Sequence, residues 1–172
     1  NAQGILVPRG KSFFEEPNRE VLNDWQYPLF VKPNRSGSSF GVSRIETPAE
    51  FSAAFKKAQK EYKEVIVEEG VTGVEVGCGV LRTNYDFTSN TPLNEAATQS
   101  IAITEIVPTE SSFFDYEAKY DGKSQEITPA RISAEIAATI EQISIRIYDL
   151  LGLKGIVRMD YIIDKERGPL LI

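Results

Sequence analysis

Apolar positions in this chain follow two rhythms. Short apolar runs and alternations mark strands, and a three-to-four-residue spacing marks helices. Tyr27-Pro28-Leu29-Phe30-Val31-Lys32 reads as a short buried strand that Pro33 stops. The Gly- and Ser-rich stretch from Asn34 to Gly41 reads as a mobile loop, and Gly41 to Ile45 as the strand that returns beside the first. Thr47-Pro48-Ala49-Glu50 predicts a helix start, with Thr47 as cap, Pro48 at the first helical position and Glu50 completing a capping box. Phe51, Ala54, Phe55 and Ala58 then share one helical face, while Lys56, Lys57 and Lys60 lie elsewhere as a solvated surface.

Glu64 to Glu69 reads as a strand, broken by Gly70 to Gly73, and Val74 to Leu81 as the next one. Thr83 to Thr98 is polar and is expected to be a surface loop, followed by a strand from Ile101 to Val107. A second long polar stretch, Thr109 to Thr128, has the character of a functional loop. Ser133 opens a helix whose stripe is Ile136, Ile140, Ile143, Ile147, Leu150 and Leu151, and Gly152 ends it. Gly155 to Ile163 alternates as a strand, with Ile156, Arg158, Asp160 and Ile162 on one face and Val157, Met159, Tyr161 and Ile163 on the other. The pattern is mixed α+β, with antiparallel hairpins and two clear helices.

Composition narrows the chemistry. The 172 residues carry 19 Lys and Arg against 25 Asp and Glu, a net charge of −6. That balance argues against nucleic acid or an anionic membrane as the main partner, and leaves room for a local basic pocket. No His is present, so Ser-His-Asp or Cys-His catalysis and His-ligated metals are excluded. The single Cys78 excludes an internal disulfide and reads as a small buried hydrophobe. No apolar run approaches the roughly 18 residues that cross a bilayer, and no signal peptide is seen, so a cytoplasmic setting is expected. The chain opens without Met and ends on Leu170-Leu171-Ile172 straight after a turn, which is read as a fragment cut at both ends.

Arg158 and Asp160 are two apart on one strand, so their side chains project from one face roughly 7 Å apart at the backbone. Two readings stand: a salt bridge on a solvated sheet face, or a carboxylate for Mg²⁺ beside a guanidinium for phosphate. Lys32 ends a buried strand before the Ser36-Gly37-Ser38-Ser39-Phe40-Gly41 loop, whose N–H groups and hydroxyls suit anionic oxygens, although such loops are also plain turns. Gly10-Lys11-Ser12 and Gly122-Lys123-Ser124 lack the earlier Gly of a phosphate-binding P-loop, and Gly77-Cys78-Gly79 lacks the third Gly of a dinucleotide turn. Glu68 and Glu75 bracket the Gly70–Gly73 break; solvated strand-end charges are the plain reading, and acceptors for ribose hydroxyls or an amino group the sharper one.

Several motifs stand in a telling order: Tyr27-Pro28-Leu29-Phe30-Val31-Lys32-Pro33; Arg35-Ser36-Gly37-Ser38-Ser39-Phe40-Gly41; Val67-Glu68-Glu69 with Gly73-Val74-Glu75; Phe113-Phe114-Asp115-Tyr116-Glu117-Ala118-Lys119-Tyr120; and Gly155-Ile156-Val157-Arg158-Met159-Asp160. From Tyr27 onward the chain resembles D-alanine–D-alanine ligases of the ATP-grasp superfamily, the Asp115–Tyr120 run being the most specific piece.

The resemblance implies an ATP-grasp fold: two α+β lobes with antiparallel sheets and few helices around a nucleotide cleft, residues 1–72 forming the first lobe and 73–172 the second, with 109–128 as a mobile loop. It implies ATP and Mg²⁺ (Mn²⁺ as a substitute) as cofactors, D-alanine as substrate, and an acyl phosphate on the way to a peptidoglycan dipeptide. Lys32 would hold the α- and β-phosphates, with Ser39 of the Gly/Ser loop among the nucleotide contacts. Glu68 would meet the adenine amino group beside Val71, Glu75 the ribose, and Phe113 the adenine ring. Lys119 would reach the phosphates, Ser38 and Tyr120 would hydrogen-bond to close the loop, Asp160 would ligate Mg²⁺, and Arg158 would stabilise the transferring phosphoryl group. Tyr120 also favours an amine acceptor, because depsipeptide-forming relatives lack that tyrosine. Ser36 and Phe114 depart from the Glu and Tyr that many relatives carry, and the remaining Mg²⁺ and D-alanine ligands would lie outside the chain, so the fragment alone is expected to be inactive. Ligases for another carboxylate–amine pair and a non-catalytic nucleotide-binding module are the rival readings. The family is often dimeric, which makes a homodimer compatible.

Overall fold

A computed structural model describes residues 4–108 and 124–172. The chain divides into two compact units, one of Val7–Val71 and one of Thr72–Val107 with Gln125–Ile172, which residues 4–6 join. The Leu171 N–H donates to the Leu6 carbonyl at 2.9 Å, which places those first residues with the second unit.

The first unit is a four-stranded antiparallel sheet with one helix. Its strands are β1 (Gly10–Phe13), β2 (Leu29–Pro33), β3 (Ser43–Ile45) and β4 (Val65–Glu69), in the order β1-β4-β2-β3. β2 and β3 are the expected hairpin, with Leu29 opposite Ile45. β1 was not legible in the sequence; Gly-Lys-Ser-Phe shows no alternation, and its pairing with β4 forms it. The helix α1 (Phe51–Glu61) buries Phe51, Ala54, Phe55 and Ala58, the predicted face, against Leu29, Val31, Val65 and Val67. Its start differs from the expected capping box. A 3₁₀ turn over Pro48–Glu50 precedes it, the Thr47 hydroxyl donates to Glu50 Oε1 at 2.8 Å instead of accepting, and Glu50 Oε2 takes the N–H of Glu46 at 3.1 Å.

The second unit is a five-stranded antiparallel sheet with one helix. It comprises β5 (Val74–Asp86), β6 (Thr91–Pro108), β7 (Ser124–Ile127), β8 (Val157–Asp164) and β9 (Gly168–Leu171), ordered β7-β6-β5-β8-β9. The expected loop over Thr83–Thr98 is instead the outer part of the β5–β6 hairpin, turning at Asn90 with φ 57°. Its polar residues show no strand alternation because β8 pairs only with Val74 to Val80, so both faces of the outer ribbon lie away from the core. The helix α2 (Ala134–Leu150) starts where Ser133 Oγ accepts the Ile136 N–H at 3.3 Å, and Gly152 ends it at φ 59°. Ile140 and Ile147 join the core, with Ile136 and Ile143 half-buried beside them. Leu150 and Leu151 do not continue the stripe: at 52% and 65% exposure they stay outside the core. Along β8 the predicted alternation holds, with Met159, Tyr161 and Ile163 buried and Arg158, Asp160 and Ile162 turned outward. Cys78 is buried, its Sγ 3.6 Å from Ser100 Oγ.

Candidate functional site

Strand alternation decides which candidates face solvent. On β2, Leu29, Val31 and Pro33 go to the α1 side, so Phe30 and Lys32 turn to the other face. On β4 the same parity turns Ile66 and Glu68 outward. Phe30 lies opposite Glu68 and Lys32 opposite Ile66, so Lys32 and Glu68 are diagonal neighbours. They form an ion pair, Nζ to Oε2 2.7 Å, with side chains 27% and 18% exposed. Gly10 of β1 lies opposite Glu68, and a Cβ there would stand 3.0 Å from Glu68 Cγ, so glycine leaves the carboxylate its room.

Two other candidates of the first unit lie in the loop after β2. Ser38 and Ser39 have φ of 52° and 60°, in the left-handed region that non-glycine residues adopt at a cost. The Phe40 N–H bonds the Gly37 carbonyl at 3.1 Å, and the Val42 N–H the Ser39 carbonyl at 3.2 Å, which holds the loop in tight successive turns. Val71, half-buried, follows β4 past Gly70, whose N–H donates to the Pro28 carbonyl at 2.8 Å.

In the second unit, Arg158 and Asp160 project from the sheet face away from α2. Arg158 Nε donates to Asp160 Oδ1 at 2.7 Å and Nη2 to Oδ2 at 3.2 Å, a bidentate pair within one strand. Gly77 and Gly79 of β5 are their cross-strand partners. A Cβ on Gly77 would meet Arg158 Cδ and Asp160 Oδ1 at 3.0 Å each, so the pair lies in space the glycine leaves. The hydrogen bonds that Arg158 donates to Asp160, with the fields of Asp160, Glu126 and Glu75, hold the guanidinium above its ordinary pKa. Glu75 thus belongs with Arg158 and Asp160, and Glu126 on β7 joins them, a residue not legible as a candidate from sequence because it lies 32 residues from Arg158.

The structure therefore assembles two groups, Lys32 with Glu68 in the first unit and Glu75, Arg158 and Asp160 in the second. Phe113, Lys119 and Tyr120 lie outside the described residues. Among the described residues no three acidic or sulfur ligands converge on a common point that would hold a metal ion. Asp160 is a single carboxylate already engaged by Arg158, whereas Mg²⁺ takes six oxygens in octahedral geometry. The described residues do not by themselves fit that ion. Among them no helix is long and apolar enough to cross a membrane.

Comparison with known proteins gives this arrangement its family. The chain is 40% identical over 171 residues to the D-alanine–D-alanine ligase of Parabacteroides distasonis, covering 99% of this chain and 47% of the relative. It is 44% identical over 144 residues to that of Flavobacterium johnsoniae, covering 84% of this chain and 41% of the relative. Among solved structures it superposes on the VanG D-Ala:D-Ser ligase from Enterococcus faecalis with a TM-score of 0.75 and 35% identity, covering 99% of this chain and 47% of that one. The chain thus spans about half the length of the relatives it matches. Its two antiparallel sheets with few helices are the ATP-grasp fold of those neighbours. The sequence profile described as "D-ala D-ala ligase C-terminus" matches residues 6–172, and the chain belongs to that family.

Proposed function

We propose that this chain is the nucleotide-handling part of an ATP- and Mg²⁺-dependent ligase that joins two D-alanines for peptidoglycan synthesis. The observation that supports this reading is where the charge sits. Lys32 and Glu68, and separately Arg158 and Asp160, occupy the sheet faces turned away from α1 and α2, while the opposite faces of the same strands are buried. Groups of both signs on these faces suit a nucleotide with phosphates at one end and hydrogen-bond donors at the other, once it replaces their internal partners.

In this reading Lys32 neutralises the α- and β-phosphates, with Lys119 reaching them as well. Ser39 contributes through the Gly/Ser loop, and Ser38 pairs with Tyr120. Glu68 accepts from the adenine amino group, with Val71 and Phe113 against the base, and Glu75 accepts from the ribose. The carboxylate of the first D-alanine attacks the γ-phosphorus; the bond to the β-phosphate oxygen breaks, and ADP leaves. The amine of the second D-alanine then adds to the acyl phosphate carbonyl, and phosphate departs as the peptide bond forms. Arg158 stabilises charge on the transferring phosphoryl oxygens, which is the kind of help phosphoryl transfer needs and which requires no histidine. Mg²⁺ would supply further charge neutralisation when bound. Asp160 would be one of its ligands, the others coming from outside the described residues.

A second acceptor, D-serine, has one observation in its favour: the VanG ligase, titled a D-Ala:D-Ser enzyme, is 35% identical. Both acceptors present an amine, as Tyr120 favours, and competition between them in a turnover assay separates the two. In the complete enzyme, Arg158→Ala is expected to lower kcat by about 10²–10³-fold with folding intact. Near-normal turnover would reject the role of Arg158.

A further inference from the structure

The loop between β2 and β3 is fastened at both of its ends to the C-terminal half of α1 and the turn after it. At the entry, the Asn34 N–H donates to the Glu64 carbonyl at 2.8 Å and Asn34 Nδ2 to Glu64 Oε2 at 2.6 Å. The next residue, Arg35, holds its guanidinium 5.6 Å from the ring centre of Tyr62. At the exit, Lys57 Nζ donates to the Val42 carbonyl at 2.9 Å. A Cβ on Gly41, whose φ is 75°, would stand 2.8 Å from Glu61 Cγ and 3.3 Å from the Pro33 ring, so glycine lets the loop lie against both. Lys57 and Glu61 are four apart and share one face of α1.

Between these anchors, Ser38 and Ser39 hold φ of 52° and 60°. Two successive left-handed serines cost free energy and persist only where their surroundings fix them. Bonds inside the loop contribute: the Phe40 N–H donates to the Gly37 carbonyl at 3.1 Å, and Ser36 Oγ to the Phe40 carbonyl at 3.3 Å. Val42 links the loop to the helix, because its N–H donates to the Ser39 carbonyl at 3.2 Å while its own carbonyl accepts from Lys57. The run of Gly and Ser alone predicts a mobile loop, and Lys57 alone a solvated lysine. The fold instead gives Lys57 a partner 15 residues earlier, at the root of β3. A loop shaped before its ligand arrives loses less conformational entropy on binding.

We propose that Lys57 and Glu64, with Tyr62, form a platform that presets the Gly/Ser loop, Ser39 already in its left-handed conformation, to receive the nucleotide phosphates. All three are positioning residues that act through the loop and touch no ligand. This rests on the function proposed above, and every residue it uses lies in the first unit.

The test uses Lys57→Met, which keeps the apolar stem and loses the donor, Lys57→Arg, which restores a donor, and Glu64→Ala at the loop entry. Three quantities are read: Tm, amide exchange in peptides covering residues 34–43 without nucleotide, and affinity for Mg-ATP and for adenosine by calorimetry. For Lys57→Met and Glu64→Ala the platform predicts exchange faster by about tenfold or more in those peptides and unchanged in β8. It predicts Mg-ATP affinity lower by about threefold to tenfold with adenosine affinity unchanged, and Lys57→Arg close to wild type. Faster exchange with unchanged Mg-ATP affinity would mean that the contacts only hold the fold, and would overturn the proposal. An equal loss for adenosine would overturn it too, because the effect would not lie at the phosphates. Unchanged exchange would overturn the platform itself. Wild-type protein that binds no Mg-ATP would instead sink the functional reading beneath it, before any substitution is made. Should Glu64→Ala fail to fold, the two variants of the exposed Lys57 carry the same comparison.

Discussion

Tyr161 shows what one side chain fixes in the second unit. Fully buried on β8, it shares a 2.8 Å hydrogen bond with Ser144 of α2, itself fully buried. Alternation along β8 groups Tyr161 with Met159 and Ile163, but its partner, 17 residues earlier on a different element, was not legible. Burial pushes the phenol up to about 12, opposed in part by the Ser144 bond. The folded state therefore holds this proton more tightly than the unfolded chain, whose tyrosines titrate near 10. The resulting stability is full below about pH 10 and is lost as pH rises from about 10 to about 12. Tyr161→Phe should remove that part of the alkaline loss, seen in Tm measured against pH. At neutral pH it should cost about 1–3 kcal/mol, because the Ser144 hydroxyl is left buried without its partner. An unchanged alkaline limb would show that Tyr161 is not the group responsible.

At the scale of elements, the sequence was most informative where one face is buried. α1, β2 with β3, and β8 were legible because Phe51, Phe55, Val31 and Met159 recur at the period of their element. The outer β5–β6 ribbon was not, because Thr83, Asn84, Asn94 and Gln99 give no two-residue rhythm when neither face meets the core. Its long pairing register forms it instead, with the Thr98 hydroxyl donating to Asp149 Oδ1 at 2.6 Å to tie the root of the ribbon to the end of α2. Glycines just before and within β5 separate two kinds of neighbour. A Cβ on Gly73 would run into the Ile163 carbonyl oxygen, whereas on Gly79 it would meet Ile101 at 3.6 Å. Backbone on β8 cannot move aside without breaking its pairing with β5. Gly73→Ala should therefore lower Tm, by the equivalent of about 1–3 kcal/mol, while Gly79→Ala leaves it nearly unchanged. Equal Tm for the two variants would contradict the packing described at the start of β5.

For the whole molecule, the candidate site was legible as residue types in order rather than as a geometry. Motif spacing singled out Lys32, Glu68, Glu75, Arg158 and Asp160. It did not show that Lys32 and Glu68 already neutralise each other at 2.7 Å, or that Arg158 and Asp160 do so at 2.7 Å. Those pairings follow from register and strand parity, which only the folded sheets define. They carry a consequence: a nucleotide must replace each internal partner with a phosphate or a hydrogen-bond donor of its own. The central claim, that Lys32 and Glu75 are nucleotide-binding residues, is tested most directly by calorimetric titration of Mg-ATP into the protein and into Lys32→Ala and Glu75→Ala. Mg-ATP binding is expected to weaken about tenfold or more with either substitution, the loss expected for a charge-assisted hydrogen bond. Binding that either variant leaves at the wild-type affinity would contradict it.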